Sequence, residues 1–186
     1  LVIIDFKLRI RVLRSIALCK SNLFYVAAYL WRRCLWRTTV IAITGSVGKT
    51  TTKELAAALL ATKGSVVKTE GNNNARPGLY RSVLRARWHH RYLLVEAPAS
   101  HGGMKGYCRI LKPDIVVQLS IRRIHLGQFG SIESIAAEKA KLSAALVAGG
   151  INIINIDEPL IVSEAAKIDR RQVSFGLSET ADFRLL

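Results

Sequence analysis

The stretch VIAITGSVGKTTTKE, residues 40–54, decides how the rest of the chain is interpreted. Residues 40–43 are apolar and mostly β-branched, which is typical of a strand that is buried on both faces. Gly45 and Gly48 interrupt this run before Lys49, and a stretch rich in Ala and Leu over residues 53–61 favours a helix. The order of strand, glycine turn, Lys-Thr and helix predicts a loop that binds a nucleotide phosphate.

In a loop of this kind backbone N–H groups and the helix N-terminus face the anion. Lys49 supplies a positive charge, and the Thr50 hydroxyl is available to Mg²⁺. The motif is the short form G-x-x-G-K-T, because Ile43 stands where the longer pattern has its first glycine. An ordinary strand-to-helix turn with a solvated lysine is the less favoured alternative, since both flanks fit the phosphate loop. The predicted nucleotide-binding residues are Gly45, Ser46, Val47, Gly48, Lys49, Thr50 and Thr51.

Size and cysteine usage point to one intracellular domain with an appendage. The 186 residues suffice for one buried core, and a hydrophobic content of 50% excludes a disordered chain. The three cysteines are Cys19, Cys34 and Cys108, and no two of them form a C-x-x-C pair. This argues against a disulfide framework or a zinc site and predicts a cytoplasmic location.

The net charge of +15 predicts an anionic partner. The first forty residues hold eight basic side chains against Asp5 alone, and a second basic run spans residues 76–91. The positive charge fits phosphorylated substrates, acidic lipids and nucleic acid equally well. It therefore does not distinguish among these partners.

Residues 1–37 have the apolar spacing of a helix, so we expect a basic helical segment over residues 1–38 before a domain at 39–186. The longest uncharged apolar run, residues 23–31, is well short of the roughly 20 residues that span a bilayer. Two interpretations stay open for this segment. It packs its aromatic face on the domain and solvates its arginines, which we favour, or it makes peripheral contact with a membrane surface.

From residue 40 onward, strand-like and helix-like segments alternate. This rhythm predicts an α/β fold of the P-loop type, with a mostly parallel sheet and helices on both faces. Further strands are expected at residues 65–69, 92–96, 115–119, 151–156 and 173–175, and helices at 77–87, before 111, at 131–147 and at 159–167.

Ligands of open parallel sheets collect at the carboxyl ends of the strands. Glu96 ends the predicted strand 92–96, which is the usual place for an acid that holds the Mg²⁺ of a nucleotide beside a phosphate loop. A helix cap or an ion pair with an arginine is the alternative role for this carboxylate. The upstream phosphate loop favours the metal.

Several motifs together resemble the central domains of Mur ligases, and most closely the branch that adds D-alanyl-D-alanine to a UDP-muramoyl tripeptide. They occur in the family's order and spacing from about residue 23 to the end of the chain. The motifs are ITGSVGKTTTKE, the T-x-G-N-x-N loop at 69–74, VEAPASH, LKPDIVV, IHLGQFGSIESIAAEKAKL and INIDEP.

The resemblance implies an ATP-dependent amide ligase of peptidoglycan precursor or related biosynthesis. In this family the γ-phosphoryl group of ATP activates a substrate carboxylate as an acyl phosphate, which an amine then attacks. By similarity, catalytic roles fall to Lys49, His125 and Lys139. The resemblance assigns Mg²⁺ binding to Thr50, Glu96 and His125. Lys139 matches a lysine that the family carbamylates. Asn155 and Asp157 correspond to nucleoside contacts, and the residues facing the carboxylate substrate are Asn72, Asn74, Ser100 and His101.

The family also has an N-terminal domain that binds the UDP-sugar and a C-terminal domain that closes over ATP. Residues 1–39 do not resemble the first, and we expect the central domain to be incomplete at its C-terminal end. The chain alone is therefore expected to bind Mg-ATP weakly without completing ligation. Ala97, Pro98 and Lys141 depart from the family pattern, which leaves the identity of the carboxylate and the amine open.

Two other classes of function remain as alternatives. A P-loop GTPase or kinase is disfavoured because the N-K-x-D and D-x-x-G motifs are missing. The other is a non-catalytic basic module for membrane or nucleic acid that keeps a relic nucleotide site. Nucleic acid is the less favoured partner, because the basic runs carry no recognised nucleic-acid motif.

Overall fold

The computed structural model describes residues 22–71, 76–99, 103–124 and 126–185. Their centre is a seven-stranded sheet in which all neighbouring strands are parallel, so the predicted parallel α/β fold is confirmed. The strand order is β2-β3-β1-β4-β5-β6-β7. The strands are β1 Thr39–Thr44, β2 Val66–Lys68, β3 Tyr92–Glu96, β4 Ile115–Gln118, β5 Ile151–Asn155, β6 Arg171–Gly176 and β7 Phe183–Arg184.

The helices that connect these strands agree with the predicted alternation, with two differences. The helix after the phosphate loop begins at Lys49 rather than at the predicted residue 53, because the three threonines 50–52 are part of the helix. A short helix at Leu126–Phe129 was not predicted. The helices are α1 22–34, α2 Lys49–Ala61, α3 Arg76–Arg85, α4 Met104–Leu111, α5 Leu126–Phe129, α6 Ile132–Ala144 and α7 Pro159–Ala165.

Helices lie on both faces of the sheet. On one face α2 packs its Ala57 against Ile41 and Ile43 of β1 and Leu94 of β3. On the other face α3, α4 and α6 enclose the largest apolar cluster. The sheet is therefore covered on both sides where β1 and β3 lie, which is why these strands are almost entirely apolar.

The topology creates a crevice at the carboxyl end of β1. This strand lies between β3 and β4, because the chain leaves β1 toward one edge of the sheet and leaves β3 toward the other. Ligands of open α/β sheets bind at such a switch point. The phosphate loop follows β1, Glu96 ends β3 and Ser120 follows β4. The fold therefore brings them together at the carboxyl ends of these three strands.

Helix α1 is fixed on the domain by polar contacts as well as by packing. Tyr25, Ala28 and Trp31 face the apolar cluster, and Trp31 Nε1 donates a hydrogen bond to Ala86 O at 2.8 Å. Arg32 is buried, and its guanidinium donates to Leu111 O at 2.8 Å and to Lys112 O at 3.1 Å. These carbonyls end α4 and have no partner within their own helix, so Arg32 caps them.

Aromatic packing of residues 22–34 agrees with the favoured interpretation of the basic segment, but the burial of Arg32 was not expected. Residues 1–21 lie outside the described part of the chain, and the boundary between 1–38 and 39–186 stays a prediction. Within the described residues, no helix is both long and apolar enough to cross a bilayer.

We expect Arg32→Met to lower the free energy of unfolding by about 2 kcal/mol, because it leaves the terminal carbonyls of α4 without a donor. It also removes the contact at 3.6 Å between the guanidinium and Asp114. Urea denaturation measures the effect. Arg37→Met, at an exposed position nearby, is the control and should change stability by less than about 0.5 kcal/mol. Equal losses for the two variants would contradict the capping role.

Candidate functional site

The phosphate loop is held against the end of β4 by a close backbone approach. A Cβ atom at Gly45 would lie 3.0 Å from Leu119 Cβ, so only glycine fits there without a shift. Ser46 N donates to Ser120 O at 2.8 Å, and Val47 N donates to Ser120 Oγ at 3.2 Å. Gly48 precedes α2 with φ at 83°, a conformation that favours glycine. Contacts within the chain thus set the shape of the loop.

Lys49 lies over this loop. Its Nζ donates to Gly45 O at 2.9 Å and to Ser46 O at 3.3 Å, and the side chain is half-buried. Burial lowers the pKa of Lys49, and the charge of Glu96 opposes that shift. A phosphate bound by the first turn of α2 would therefore meet a lysine that already lies at the loop.

Thr50 and Glu96 meet as the sequence predicts for a magnesium site. Thr50 Oγ1 donates to Glu96 Oε2 at 3.2 Å, and Glu96 is only 1% exposed. The other oxygen, Glu96 Oε1, has no hydrogen-bond donor among the described residues. One hydroxyl and one carboxylate fit Mg²⁺, which takes few protein ligands and keeps water and phosphate oxygens. Within the described residues, no three His, Cys, Asp or Glu side chains form a larger metal cluster.

Lys53 is a site residue that the sequence analysis missed. Its side chain is fully buried, and its Nζ lies 2.9 Å from Glu96 Oε1 in an ion pair whose angles are not those of a hydrogen bond. The same nitrogen donates to Thr69 O at 2.7 Å and to Gly71 O at 3.2 Å. Lys53 follows Thr50 by one helical turn, and this i, i+3 spacing is the signal that could have indicated it.

Lys139 reaches the phosphate loop from the distant helix α6. Its Nζ donates to Gly45 O at 3.0 Å, so Lys49 and Lys139 share one carbonyl oxygen. Burial, and then the nearby charge of Lys49, lower the pKa of Lys139 to about 8. Pro98, Ile124 and Phe129 line the same cleft. The sequence alone left a solvated helix face equally open for this lysine, whereas the structure buries it.

Asn155 and Asp157 lie at the same edge of the sheet, but their side chains form hydrogen bonds with backbone groups of the same chain. Asn155 Nδ2 donates to Leu119 O at 3.0 Å, which ties β5 to the segment that supports the phosphate loop. Asp157 accepts hydrogen bonds from Leu177 N at 2.7 Å and Ser178 N at 3.1 Å. The two residues therefore position backbone around a cleft beside Phe175, and their contact with a nucleoside stays a prediction.

Five further predicted site residues lie outside the described part of the chain, so their roles stay predictions. They are Asn72, Asn74, Ser100, His101 and His125. The segments that lead into them end at Gly71, Ala99 and Ile124, at the same edge of the sheet as the phosphate loop.

Comparison with known proteins identifies the family of the chain. The family model described as the Mur ligase middle domain matches residues 43–185. The chain belongs to the Mur ligase middle domain family. The UDP-N-acetylmuramoyl-tripeptide--D-alanyl-D-alanine ligase of Mycobacterium tuberculosis is 41% identical over 145 residues, which are 77% of this chain and 28% of that relative. The ligase of the same name from Escherichia coli is 34% identical over 119 residues.

Solved Mur ligases share the fold. MurF from Thermotoga maritima, solved in complex with ADP, matches with a TM-score of 0.77 and 32% identity over 85% of this chain and 37% of that one. MurF from Acinetobacter baumannii matches with a TM-score of 0.78 and 30% identity, over 84% and 35% respectively. The middle-domain chain thus spans between a quarter and two fifths of the length of these relatives.

Lys53→Met should lower the free energy of unfolding by about 3 kcal/mol, because it leaves the Glu96 carboxylate buried without its counter-charge. Urea denaturation at pH 7 measures this loss, and adding Glu96→Gln in the same chain should restore part of it. Lys68→Met is the control, because Lys68 pairs with Glu54 at the surface and such pairs contribute less than about 1 kcal/mol. Equal costs for the two lysines would refute the importance of the buried pair.

Lys139 should make stability rise with pH between about 8 and 10.5. The folded state lowers the pKa of Lys139 to about 8 from 10.5, so the unfolded chain binds more protons at this site within that window. Below pH 8 the destabilisation by the buried cation is complete. Relative to Lys139→Met, the natural chain should therefore gain up to about 3 kcal/mol from pH 7 to 10.5.

The measurement is the difference in unfolding free energy between the two proteins at each pH, which cancels groups titrating elsewhere. Lys105→Met, at an exposed position of α4, is the control and should show no such pH-dependent difference. A difference between the natural chain and Lys139→Met that stays constant from pH 7 to 10.5 would contradict the burial of the Lys139 ammonium.

Proposed function

We propose that this middle domain is the ATP-binding module of a Mur-type ligase that joins a carboxylate to an amine in peptidoglycan precursor synthesis. One observation carries the proposal: Gly45 O is shared by Lys49 and Lys139 beside the contact of Thr50 with Glu96. This arrangement combines a phosphate loop, a magnesium donor pair and an additional buried lysine. The relatives named as UDP-N-acetylmuramoyl-tripeptide--D-alanyl-D-alanine ligases and the MurF structure with ADP support it.

The chemistry assigned to the module is activation of a carboxylate by phosphoryl transfer. A carboxylate oxygen attacks the γ-phosphorus of ATP, the bond to the β-phosphate oxygen breaks, and ADP leaves with the released charge. An amine then attacks the acyl carbon, inorganic phosphate leaves, and the amine nitrogen loses a proton. The loop amides and Lys49 bind the phosphate oxygens and offset their charge, which is the main contribution a protein makes to such a transfer.

Thr50 and Glu96 would hold Mg²⁺ at this site, and His125 is proposed at a second one. The metal when bound neutralises phosphate oxygens and orients the transferred group. Lys53 keeps Glu96 in place, because the buried ammonium fixes one carboxylate oxygen while Thr50 contacts the other. The Glu96 carboxylate is therefore held in position by contacts within the chain.

We assign Lys139 as the lysine that becomes carbamylated. Carbamylation needs a neutral amine, and a pKa of about 8 leaves a much larger neutral fraction at pH 7.5 than an exposed lysine has. The neutral nitrogen attacks the carbon of CO₂, a C–N bond forms, and one proton is released. The product is an anion, so it would turn the repulsion between Lys139 and Lys49 into attraction.

The remaining assignments complete the proposed site. Asn155 and Asp157 contact the nucleoside of ATP, and the carboxylate substrate is a UDP-muramoyl peptide in the cytoplasm. The residues proposed to face that substrate are Asn72, Asn74, Ser100 and His101. An N-terminal UDP-sugar domain and a C-terminal domain that brings the amine complete the ligase.

Mg-ATP titration of the chain by calorimetry tests the nucleotide site. We expect weak binding that prefers ATP to GTP and falls about tenfold or more in Lys49→Ala, because the loop loses its positive charge. Glu96→Gln should raise the Mg²⁺ concentration needed for binding. Lys63→Ala, an exposed lysine beyond the far end of α2, is the control and should bind like the natural chain. No difference between Lys49→Ala and Lys63→Ala would overturn the site.

The activity is tested by joining this domain to the N- and C-terminal domains of the Mycobacterium tuberculosis relative. With ATP, Mg²⁺ and UDP-muramoyl tripeptide, added hydroxylamine should trap the acyl phosphate as a hydroxamate, and Lys49→Ala should abolish the product. A folded chimera that binds ATP yet gives no hydroxamate would refute the ligase while leaving the nucleotide site intact.

A further inference from the structure

The amino-terminal edge of the sheet, opposite the phosphate loop, carries two exposed tryptophans. Trp36 follows α1 and Trp88 follows α3, and their side chains are 77% and 76% exposed. They line one cleft together with Cys34 and Arg37. Large aromatic side chains this exposed are unusual on a surface that meets only water.

Backbone contacts fix the two tryptophans relative to each other. Thr39 N donates to Arg91 O at 2.9 Å, and Thr38 Oγ1 donates to His90 O at 2.8 Å. These bonds join the segment after α1 to the segment after α3. The exposed rings therefore belong to one rigid surface, although neither ring is buried.

The two segments that carry these tryptophans are basic. Residues 22–38 and 84–92 contain six arginines and no aspartate or glutamate. Of these, Arg37, Arg87 and Arg91 are exposed and have no carboxylate partner within the described residues. We call Trp36, Trp88 and these three arginines the basal patch.

An apolar stripe on α1 continues the basal patch. Leu23, Val26 and Leu30 are 69%, 48% and 58% exposed, and their spacing of three and four residues places them on one side of the helix. Cys34 extends this side to the cleft at Trp36. The other side of α1 is buried on the domain, and its Arg32 caps the end of α4, so the stripe cannot turn inward without losing those contacts.

We infer that the basal patch and the α1 stripe dock the protein on the surface of an anionic phospholipid bilayer. Leucine, valine and tryptophan enter the boundary between headgroups and acyl chains, while the arginines bind lipid phosphates. Nucleic acid would supply phosphates for the arginines, but it has no apolar phase into which the aliphatic stripe could insert. A second copy of the chain would bring two surfaces of the same positive charge together. Of these three surfaces, only the bilayer matches both properties.

Docking by this face orients the nucleotide site. β1 has six residues and connects the basal patch at its start to the phosphate loop at its end, a separation of about 20 Å. The phosphate loop would therefore face away from the membrane, where ATP and a water-soluble substrate reach it. This inference uses no residue of the nucleotide site and stands apart from the proposed function.

Vesicle co-sedimentation tests the inference with the full 186-residue chain. We expect binding to vesicles of phosphatidylcholine with 30% phosphatidylglycerol, weak binding to phosphatidylcholine alone, and a loss of binding in high salt. Tryptophan emission should shift to the blue on binding, as Trp36 and Trp88 leave water. Trp36→Ser with Trp88→Ser should weaken binding about tenfold or more, as should Arg37→Gln with Arg87→Gln and Arg91→Gln.

Matched controls distinguish binding through this face from non-specific binding to vesicles. Leu55→Ser with Leu59→Ser removes two apolar side chains from α2 that are 62% and 72% exposed. Lys105→Gln with Arg123→Gln and Arg184→Gln removes three charges at exposed positions near the carboxyl ends of β3, β4 and β7, on the side opposite the basal patch. Both should bind vesicles like the natural chain, and all variants should keep its thermal midpoint within a few degrees.

Three results would overturn the inference. The first is vesicle binding that falls equally in the patch variants and the controls, or in neither, since the contact would then lie elsewhere in the chain. The second is a dimer in sedimentation velocity that the Trp36 and Trp88 substitutions abolish, without vesicle binding. The third is salt-sensitive binding to single-stranded nucleic acid without vesicle binding.

Discussion

The carbonyl oxygen of Gly45 is the point on which the site depends. It accepts hydrogen bonds from Lys49, which follows it in the loop, and from Lys139, which lies 94 residues further along the chain. The loop can present this oxygen because Gly45 has no side chain where it approaches Leu119. One close backbone contact therefore sets the loop, brings α6 to it and places two ammonium groups side by side. Burial and mutual repulsion then lower the pKa of Lys139.

A second buried cation organises the other side of the loop. Lys53 connects Glu96 on β3 to the carbonyls of Thr69 and Gly71, which lead into the loop proposed to meet the carboxylate substrate. A buried ammonium is costly unless it is fully paired, so these partners are held in a narrow range of positions. The proposed magnesium donors and the entrance of the proposed substrate loop are thereby coupled through one side chain.

Local patterns predicted much of the fold and part of the site. The β-branched run before Gly45 and the glycine spacing predicted a phosphate loop. The acid that ends strand 92–96 predicted that Glu96 lies beside it, and the contact of Glu96 with Thr50 agrees with that placement. These patterns did not reveal the partners of Lys53 and Lys139, because both lysines lie in Ala-rich helices where a solvated face fits equally well. Their burial depends on which strands become neighbours, and that order is a property of the whole sheet. The short β7 and α5 were missed because two to four residues carry too little periodicity.

A crystal structure of the chain with Mg²⁺ and a non-hydrolysable ATP analogue tests the central claim most directly. The account predicts the terminal phosphates at the first turn of α2, with the metal bonded to Thr50 Oγ1 and a Glu96 oxygen. It also predicts that Lys49 Nζ turns from Gly45 O to a phosphate oxygen, while Lys53 stays with Glu96. A nucleotide bound elsewhere, or a metal that leaves Thr50 and Glu96 hydrogen-bonded to each other, would contradict it.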